Sequence, residues 1–390
     1  MHEKTLNGRI TQRKKKMSQI AQTAENQDSP TGCVHSVATT EEERLSPKGK
    51  SKIPLVGIDL LGGDNNHPEF IIETLHGIFS KVRDPLRLLV FATPDIRNCI
   101  ESFQELHSGL LPTESLCFFE VEEVIHMDDD PLLAIRRKKE ASMCVGMRLL
   151  KEKKIDALVS TGNTGALIAS ARMYLPLLEG IQRSALITLL PTKKSPIAVL
   201  DVGANIECMP EHLVQFAQMG LAYQKSRGIL NPRIGLLNIG TEEKKGRGDL
   251  RETYKLLQKF NSPNEAPVFI GNVEGKEIFS GNVDVLVTDG FTGNVFLKTS
   301  EGISSFILET LHENQAILPF SKPLLSRLEK ELYSAESPGA ILCGTDGIIM
   351  KCHGDANPEA LMSGVQGALR LINGRFIAKM KEQLANLSRD

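Results

Sequence analysis

The stretch DALVSTGNTGALIASAR, residues 156–172, decides the fold. A short apolar strand at residues 157–159 runs into a turn of small and polar residues, 160–165, and then into an alanine-rich helix. In an open parallel sheet, a turn between a strand end and a helix start binds anions, because unpaired helix N–H groups point outward there. This turn is therefore the first candidate for the floor of an active site.

The same strand–loop–helix pattern repeats on both sides of this stretch. IPLVGIDL, from residue 53, is typical of a buried strand; GGDNNHP forms a turn, and residues 69–82 have helical apolar spacing. Further strands are predicted at residues 86–91, 116–120, 185–190, 197–200, 234–237, 268–270 and 283–287. This alternation predicts an α/β fold with a Rossmann-like, largely parallel sheet covered by helices on both faces and with function concentrated on loops that follow strands.

Composition excludes several classes of protein. The formal net charge of -2 argues against a nucleic-acid binder, whose surface is usually basic. The seven cysteines include no C-x-x-C pair and no His/Cys ligand spacing, so we expect reduced thiols in a cytoplasmic protein and no metal site. We find no apolar run long enough to span a bilayer and no apolar signal-peptide core at the N-terminus.

The first 52 residues differ in composition from the rest of the chain. They are polar, with a basic run at residues 13–16, an acidic run at 41–43 and almost no apolar periodicity. Such a segment cannot bury enough surface to offset its ordering entropy. We therefore predict a disordered extension at residues 1–52, either genuine or an overlong gene start given Met17, followed by one catalytic domain at 53–390.

Six loops that follow predicted strands are rich in Gly, Asn and Asp. Glycine lets backbone N–H groups approach a ligand, while Asn and Asp orient donors or hold a helix start. One such loop is an ordinary turn, but six at strand ends indicate a binding site. The candidate substrate-binding residues are Asp59, Gly62, Gly63, Asp64, Gly165, Asp201, Gly203, Asn205, Asn238, Gly240, Gly246, Asn272, Glu274, Asp289, Gly290, Gly293 and Asn294.

Two basic runs accompany these loops. Arg136-Arg-Lys-Lys139 is predicted at the start of a helix, and Lys244-Lys-Gly-Arg247 follows the strand that ends before Asn238. An isolated basic run is usually a solvated surface. Beside Gly-rich strand ends, such runs can supply donors for phosphate.

Seven collinear segments carry a resemblance to a known family: DLLGGD (59–64), RRKKEASM (136–143), STGNTGALIASA (160–171), LDVGANIECMPEHLVQFAQMG (200–220), RIGLLNIGTEEKKG (233–246), FIGNVEGKEI (269–278) and DGFTGNVFLKTSEG (289–302). They resemble the bacterial phosphate acyltransferase family over residues 53–380. Among its departures from the family pattern, Leu60 and Leu61 and the residues 65–68 differ after the first strand, Ala141 stands where Ser is usual, and two put local contacts in doubt: Arg247, where Asn is common, and Asp355, where Ser is usual.

The resemblance implies a fold similar to isocitrate and isopropylmalate dehydrogenases and to phosphotransacetylases, a homodimer, and no organic cofactor. It implies transfer of a fatty acyl group from acyl-[acyl-carrier-protein] to inorganic phosphate, giving acyl phosphate for phospholipid synthesis. The implied partners are acyl carrier protein, a peripheral membrane contact and a downstream membrane glycerol-3-phosphate acyltransferase.

This chemistry requires positioning and stabilisation of an oxyanion, without an activated nucleophile or a metal. We expect Lys245, Arg136 and Lys139 to hold phosphate, and Asn163, Thr164 and the backbone near Gly165 to polarise the thioester carbonyl. His353 is a candidate proton donor to the departing thiol, although a lone histidine is more often structural. An acyl-enzyme on Cys208 or Cys352 is the less favoured alternative.

Two other functions stay open at this stage. One is an NAD(P)-dependent hydroxyacid dehydrogenase on the same fold, which is disfavoured because no G-x-G-x-x-G follows the first strand and no D-x-x-x-D metal cluster is evident. The other is a non-catalytic regulator that binds acyl carrier protein or lipid. Formation of acyl phosphate without nucleotide separates the three.

Residues 303–333 leave the regular pattern. Prolines 319 and 323 break a helical run, which predicts a protruding helical hairpin with an apolar tip near Leu324 and Leu325. The tip either packs on the domain or a dimer partner, or touches the membrane beside Lys322 and Arg327.

Overall fold

The computed structural model describes residues 52–107, 110–262, 266–313, 327–328 and 339–387. The predicted extension at residues 1–52 lies outside this part of the chain except for Lys52, and so does most of the predicted hairpin, including its tip. Within the described residues, no helix has both the length and the apolar content that crossing a bilayer requires.

Among the described residues, an eleven-stranded sheet forms the centre of the fold. Its strands are β1 (Leu55–Asp59), β2 (Arg87–Ala92), β3 (Leu116–Glu120), β4 (Ala157–Ser160), β5 (Ala185–Leu190), β6 (Ile197–Leu200), β7 (Ile234–Leu237), β8 (Phe269–Val273), β9 (Val285–Val287), β10 (Ala340–Cys343) and β11 (Ile349–Lys351). Each strand predicted from the sequence is present within a few residues of its expected bounds; β10 was not predicted.

Ten α-helices surround the sheet in the described residues. They are α1 (Pro68–Lys81), α2 (Pro94–Leu106), α3 (Pro131–Arg137), α4 (Ser142–Lys151), α5 (Thr164–Tyr174), α6 (Pro210–Ser226), α7 (Gly248–Gln258), α8 (Gly290–Glu313), α9 (Pro358–Asn373) and α10 (Phe376–Leu387). The basic run at residues 136–139 ends α3 and precedes α4, so its expected place at a helix start was wrong. The helix α3 begins at Pro131, because the backbone angle of proline is preorganised for a first helical turn.

Two hydrophobic cores cover opposite faces of the sheet. One contains Ile71 of α1, Phe216 of α6 and Leu361 of α9. The other contains Met143 of α4, Leu167 of α5 and Leu297 of α8. Strands β1 and β4 are buried along their whole length because helices lie on both sides. The predicted architecture, a largely parallel sheet with helices on both faces, is confirmed.

Strand direction reverses in the middle of the sheet. The order is β3-β2-β1-β4-β11-β10-β5-β6-β9-β7-β8. Strands β1 to β4 and β11 are parallel to one another. The pairs β11–β10, β10–β5 and β5–β6 are antiparallel, and β6, β9, β7 and β8 are again parallel to one another. Three reversals leave the two halves of the sheet running in opposite directions.

This reversal divides the predicted loops between two places. The carboxyl ends of β1, β4 and β11 lie on one edge of the sheet, here called the first edge. The carboxyl ends of β6, β7, β8 and β9 lie on the opposite edge, here called the second edge. We expected all six loops to form one site, which requires that the strands before them share one direction.

Candidate active site

Four loops, those after β1, β3, β4 and β11, meet at the first edge because glycine lets their backbones approach. The Asp64 amide donates to the Gly354 carbonyl at 2.9 Å, which joins the loop after β1 to the loop after β11. A Cβ on Gly63 would lie 2.6 Å from Thr161 Oγ1, and a Cβ on Gly62 would lie 2.7 Å from the carbonyl oxygen of Ile125. Both glycines are therefore required for packing of the loops, and the exposed Asp64 lies at their surface.

Asp59 lies beneath these loops and does not reach solvent. Ser160 Oγ donates to its Oδ2 at 2.9 Å, and the Leu61 amide lies 3.4 Å from its Oδ1. Burial raises the pKa of Asp59, while hydrogen bonds from Ser142 and Ser160 oppose the increase. We expected Asp59 to contact substrate, whereas these contacts give it a supporting position under the turn.

Asn163 begins α5 and uses both ends of its side chain. Its Oδ1 accepts from the Ala166 amide at 3.0 Å, which caps the helix, and its Nδ2 donates to the Met127 carbonyl at 2.9 Å. One of the two hydrogens of the amide nitrogen that we expected to polarise the thioester carbonyl is therefore engaged by the protein. The amides of Thr164 and Gly165, in the first turn of α5, remain as the groups suited to an anion.

Lys351 ties the floor of the first edge together. Only 8% of the residue is exposed, and its ammonium donates to the carbonyls of Thr161, at 3.4 Å, and Cys352. Burial lowers the pKa of Lys351, and the neighbouring Lys298 acts in the same direction. The lysine thereby fixes the turn after β4 against the end of β11.

A closed group of three charged or polar side chains lies beside this floor. Lys298 Nζ is 3.2 Å from His353 Nδ1 and 2.9 Å from Glu301 Oε2, and His353 Nε2 is 3.3 Å from Glu301 Oε1. Burial of Glu301 opposes ionisation, but hydrogen bonds from His353 and Lys298 hold its pKa below the usual range. Of these three residues, only His353 was a candidate from the sequence. Lys298 and Glu301 stand three residues apart in the DGFTGNVFLKTSEG motif, a spacing that puts both on one face of a helix.

The second edge is built around a buried carboxylate. Asp201 accepts five hydrogen bonds, from the amides of Leu186, Gly203, Ala204 and Asn205 and from Asn205 Nδ2, at 2.7–3.1 Å. Burial raises the pKa of Asp201, and these donors oppose the increase. These five bonds hold the loop after β6 around the Asp201 carboxylate.

Neighbouring candidates on the second edge are also engaged with the protein. Arg172 Nη2 donates to Asn205 Oδ1 at 2.6 Å, and the Gly290 amide donates to the Asn205 carbonyl at 2.7 Å. Asn294 Nδ2 donates to the Val202 carbonyl at 3.1 Å. These contacts seat the start of α8 on the loop after β6.

The loops after β7 and β8 form a second set of contacts on this edge. Asn238 Nδ2 donates to the Lys245 carbonyl at 3.2 Å and to Asn272 Oδ1 at 3.1 Å, and Asn272 Nδ2 donates to the Glu242 carbonyl at 2.8 Å. Gly246 has a φ of +82°, which favours glycine there. The contacts organise a loop whose basic side chains point outward.

Lys245 projects from that loop with its side chain about half exposed, and its Nζ lies 3.7 Å from Glu242 Oε1. A Cβ on Gly240 would lie 3.0 Å from Lys245 Cγ. Glu274 pairs with Lys276 at 2.5 Å. Arg136 and Lys139 are exposed around the end of α3. The structure thus places Lys245 on the second edge and Asn163 on the first, so one chain does not bring these two expected partners together.

A cavity of about 460 Å³ opens on the second edge. Leu237, Ile239 and Leu250 line it together with Arg247 and Asp289. Asp289 caps α8 by accepting from the Thr292 amide at 2.7 Å, and Arg247 donates to Asp289 Oδ2 at 3.0 Å and to Asp249 at 3.0 Å. Arg247, a departure from the family pattern, therefore contributes two ion pairs beside this cavity.

Neither candidate thiol is suited to nucleophilic attack. Burial raises the pKa of Cys208 to about 12 and the pKa of Cys352 to about 11. A thiolate is the reactive form of cysteine, and these values leave little of it near neutral pH. Among the described residues, no group of three or more His, Cys, Asp or Glu side chains is arranged to hold a metal ion.

Comparison with known proteins assigns the family. The profile of the family described as fatty acid synthesis protein matches residues 55–379. The chain is 38% identical to a phosphate acyltransferase of Chlamydia pneumoniae over 84% of this chain and 98% of the relative. It is 40% identical to a phosphate acyltransferase of Desulfitobacterium hafniense over 84% of this chain and 97% of the relative.

Solved structures agree on the fold. A phosphotransacetylase from Streptococcus pyogenes superimposes with a TM-score of 0.55 at 15% identity, covering 86% of this chain and 96% of the other. The EutD phosphotransacetylase from Staphylococcus aureus superimposes with a TM-score of 0.50 at 13% identity, covering 88% of this chain and 96% of the other. With the family profile spanning the whole sheet and curated relatives covered almost end to end, the chain belongs to the fatty acid synthesis protein family, the phosphate acyltransferases that its motifs resemble.

Proposed function

We propose that the chain transfers a fatty acyl group from acyl-[acyl-carrier-protein] to inorganic phosphate, which yields acyl phosphate for phospholipid synthesis. The observation that carries the proposal is the first edge, where a glycine-rich turn and the start of α5 lie beside lysine side chains. Relatives named phosphate acyltransferase at 38–40% identity support it. They lend no support to a hydroxyacid dehydrogenase or a non-catalytic regulator.

The reaction suits groups that position and polarise. A phosphate oxygen attacks the thioester carbonyl carbon, the carbonyl oxygen becomes an oxyanion, and the C–S bond then breaks to release the thiolate of the carrier protein. We propose that the first-turn amides of α5, at Thr164 and Gly165, stabilise the oxyanion. Preorganised backbone donors stabilise such charge without the reorganisation that water requires.

The test is a direct assay of the product. Purified full-length chain is mixed with acyl-[acyl-carrier-protein] and inorganic phosphate, without nucleotide, and acyl phosphate is trapped with hydroxylamine as the hydroxamate. We expect product that depends on phosphate and on the thioester. If hydroxamate appears only in reactions to which a nicotinamide cofactor is added, or in none, the proposal is wrong.

We further propose that residues 53–390 form the catalytic unit. The family profile begins at residue 55, and the relatives named above are covered to 97–98% of their own length by 84% of this chain. In the same assay, a chain that starts at Ile53 should match the full-length chain. A large loss of turnover on truncation would show that the extension belongs to the catalytic unit.

The setting that we propose is a cytoplasmic homodimer that contacts the membrane peripherally and passes acyl phosphate to a membrane glycerol-3-phosphate acyltransferase. Supporting a dimer, α8 leaves Phe291, Val295 and Phe306 between 51% and 68% exposed in the single chain. Supporting a membrane contact, the sequence places apolar residues next to Lys322 and Arg327, a combination that binds anionic bilayers reversibly.

A further inference from the structure

We propose that Lys298 is the cation that binds the phosphate substrate, and that Glu301 and His353 position it. The inference rests on the proposed function and changes the expected phosphate ligand from Lys245 on the second edge to a lysine on the first.

The contacts among the three side chains assign a donor and an acceptor to each hydrogen bond. A lysine ammonium only donates, so His353 Nδ1, 3.2 Å from Lys298 Nζ, must accept. The ring proton then lies on Nε2, which donates to Glu301 Oε1 at 3.3 Å. Glu301 Oε2 accepts from Lys298 Nζ at 2.9 Å, so each of the three side chains contacts the other two. Both ring nitrogens of His353 therefore contact charged side chains of the protein, Nδ1 facing Lys298 and Nε2 facing Glu301.

This arrangement leaves Lys298 suited to an incoming anion. Two of the three ammonium protons are directed at His353 and Glu301, which restricts the long side chain, and the third is available to a ligand. About half of the Lys298 and His353 side-chain surfaces is exposed, so a small ion reaches them from solvent. Both Glu301 oxygens are engaged by donors, which reduces their repulsion of a phosphate.

The position of the group matches the chemistry of the first edge. His353 precedes Gly354, whose carbonyl binds the Asp64 amide, and it follows Lys351, which holds the Thr161 carbonyl. Lys298 is close enough to Lys351 to lower its pKa. A phosphate on Lys298 would therefore lie beside the turn that leads into α5, where the oxyanion forms.

The kinetic test separates the two substrates. Lys298→Ala should raise KM for phosphate at least about tenfold, the cost of losing one charge-assisted contact, with little change in KM for acyl-[acyl-carrier-protein]. Lys298→Arg should recover part of the loss. Lys151→Ala, which removes an exposed lysine at the end of α4, is the matched control and should behave as the wild type.

Glu301→Ala tests positioning against simple charge. A carboxylate that acted only by its charge would repel phosphate, so its removal would lower KM for phosphate. A carboxylate that holds Lys298 in place gives the opposite sign, and we expect KM for phosphate to rise several-fold. A decrease in KM would overturn the positioning role.

A binding measurement keeps this inference separate from the activity. Inorganic phosphate is titrated into each folded variant without acyl donor, and binding is followed by phosphorus-31 line broadening. We expect broadening in the wild type and Lys151→Ala and its loss in Lys298→Ala. Unchanged broadening and unchanged KM in Lys298→Ala would overturn the inference, as would a loss confined to Lys245→Ala, which would place phosphate on the second edge. Absence of acyl phosphate from the wild type would instead count against the proposed function.

Discussion

Asn163 contacts the protein through both polar atoms of its side chain. Its amide oxygen caps α5, and its amide nitrogen holds the Met127 carbonyl. From the sequence we expected Asn163 within the turn at residues 160–165, whereas the helix begins at Thr164 with Asn163 as its cap. The use of its nitrogen could not be foreseen, because Met127 is 36 residues away and only tertiary packing brings it close.

Replacement of Asn163 should therefore affect stability before chemistry. Asn163→Ala removes the cap and the link, and we expect a loss of about 1 kcal/mol in the free energy of unfolding. Asn163→Asp keeps an oxygen for the Ala166 amide and should lose less. Urea unfolding of both variants measures the difference.

The opposite outcome would restore the role expected from the sequence. If both variants unfolded like the wild type while turnover fell by orders of magnitude, the side-chain nitrogen would be a donor to the thioester carbonyl. Equal turnover in the wild type and Asn163→Asp would leave oxyanion stabilisation to the amides of Thr164 and Gly165.

At the scale of elements, α8 depends on two glycines. Gly290 and Gly293 lie at i, i+3 on the face that meets Asp201, and a Cβ on Gly290 would lie 2.5 Å from the Asn205 carbonyl oxygen. A Cβ on Gly293 would overlap the Asp201 carbonyl oxygen and lie 2.9 Å from Thr288 Cγ2. We expected both glycines to contact substrate, whereas the structure uses them to bring the helix onto the loop after β6.

Gly293→Ala should accordingly destabilise the protein by about 1–3 kcal/mol, the usual cost of overpacking. Gly302→Ala is the matched control, because Gly302 lies on the same helix with nothing within 4 Å of an added Cβ. We expect that variant to be neutral or stabilised by up to about 1 kcal/mol through helix propensity. Thermal unfolding of the pair measures both values, and equal destabilisation would contradict the packing argument.

The elements themselves were largely predictable, whereas their arrangement was not. Strands such as Ala185–Leu190 and Ile197–Leu200 are short apolar runs between turn residues, a local signal that the sequence contains. Their antiparallel pairing is a contact between strands, and β10 is a four-residue run without a distinct period. The split of the candidate site into two edges follows from those pairings, so no local pattern could reveal it.

At the scale of the whole molecule, the dimer and the membrane contact can be separated. Leu324→Glu combined with Leu325→Glu places two charges in the apolar sequence beside Lys322 and Arg327. We expect weaker co-sedimentation with anionic liposomes, because apolar insertion is lost, with unchanged turnover in solution and unchanged dimer mass by light scattering. Leu106→Glu, at an exposed leucine that ends α2, controls for the added charge.

Loss of the dimer in the double variant would instead assign residues 324 and 325 to the interface between copies. Liposome binding equal to that of Leu106→Glu would remove this segment from membrane attachment.

The position of β10 and β11 has a consequence for how the chain is made. In the part of the chain that the structure describes, these two strands lie between β4 and β5 and join the two halves of the sheet. A ribosome therefore releases more than 340 residues before the strands that connect the halves exist. Until then β4 and β5 are open edges, able to pair with other chains. Only α9 and α10 follow these strands in the described chain, so the two halves join late in synthesis and through contacts between distant residues. We expect such late, non-local pairing to be slow and to leave the nascent protein open to aggregation.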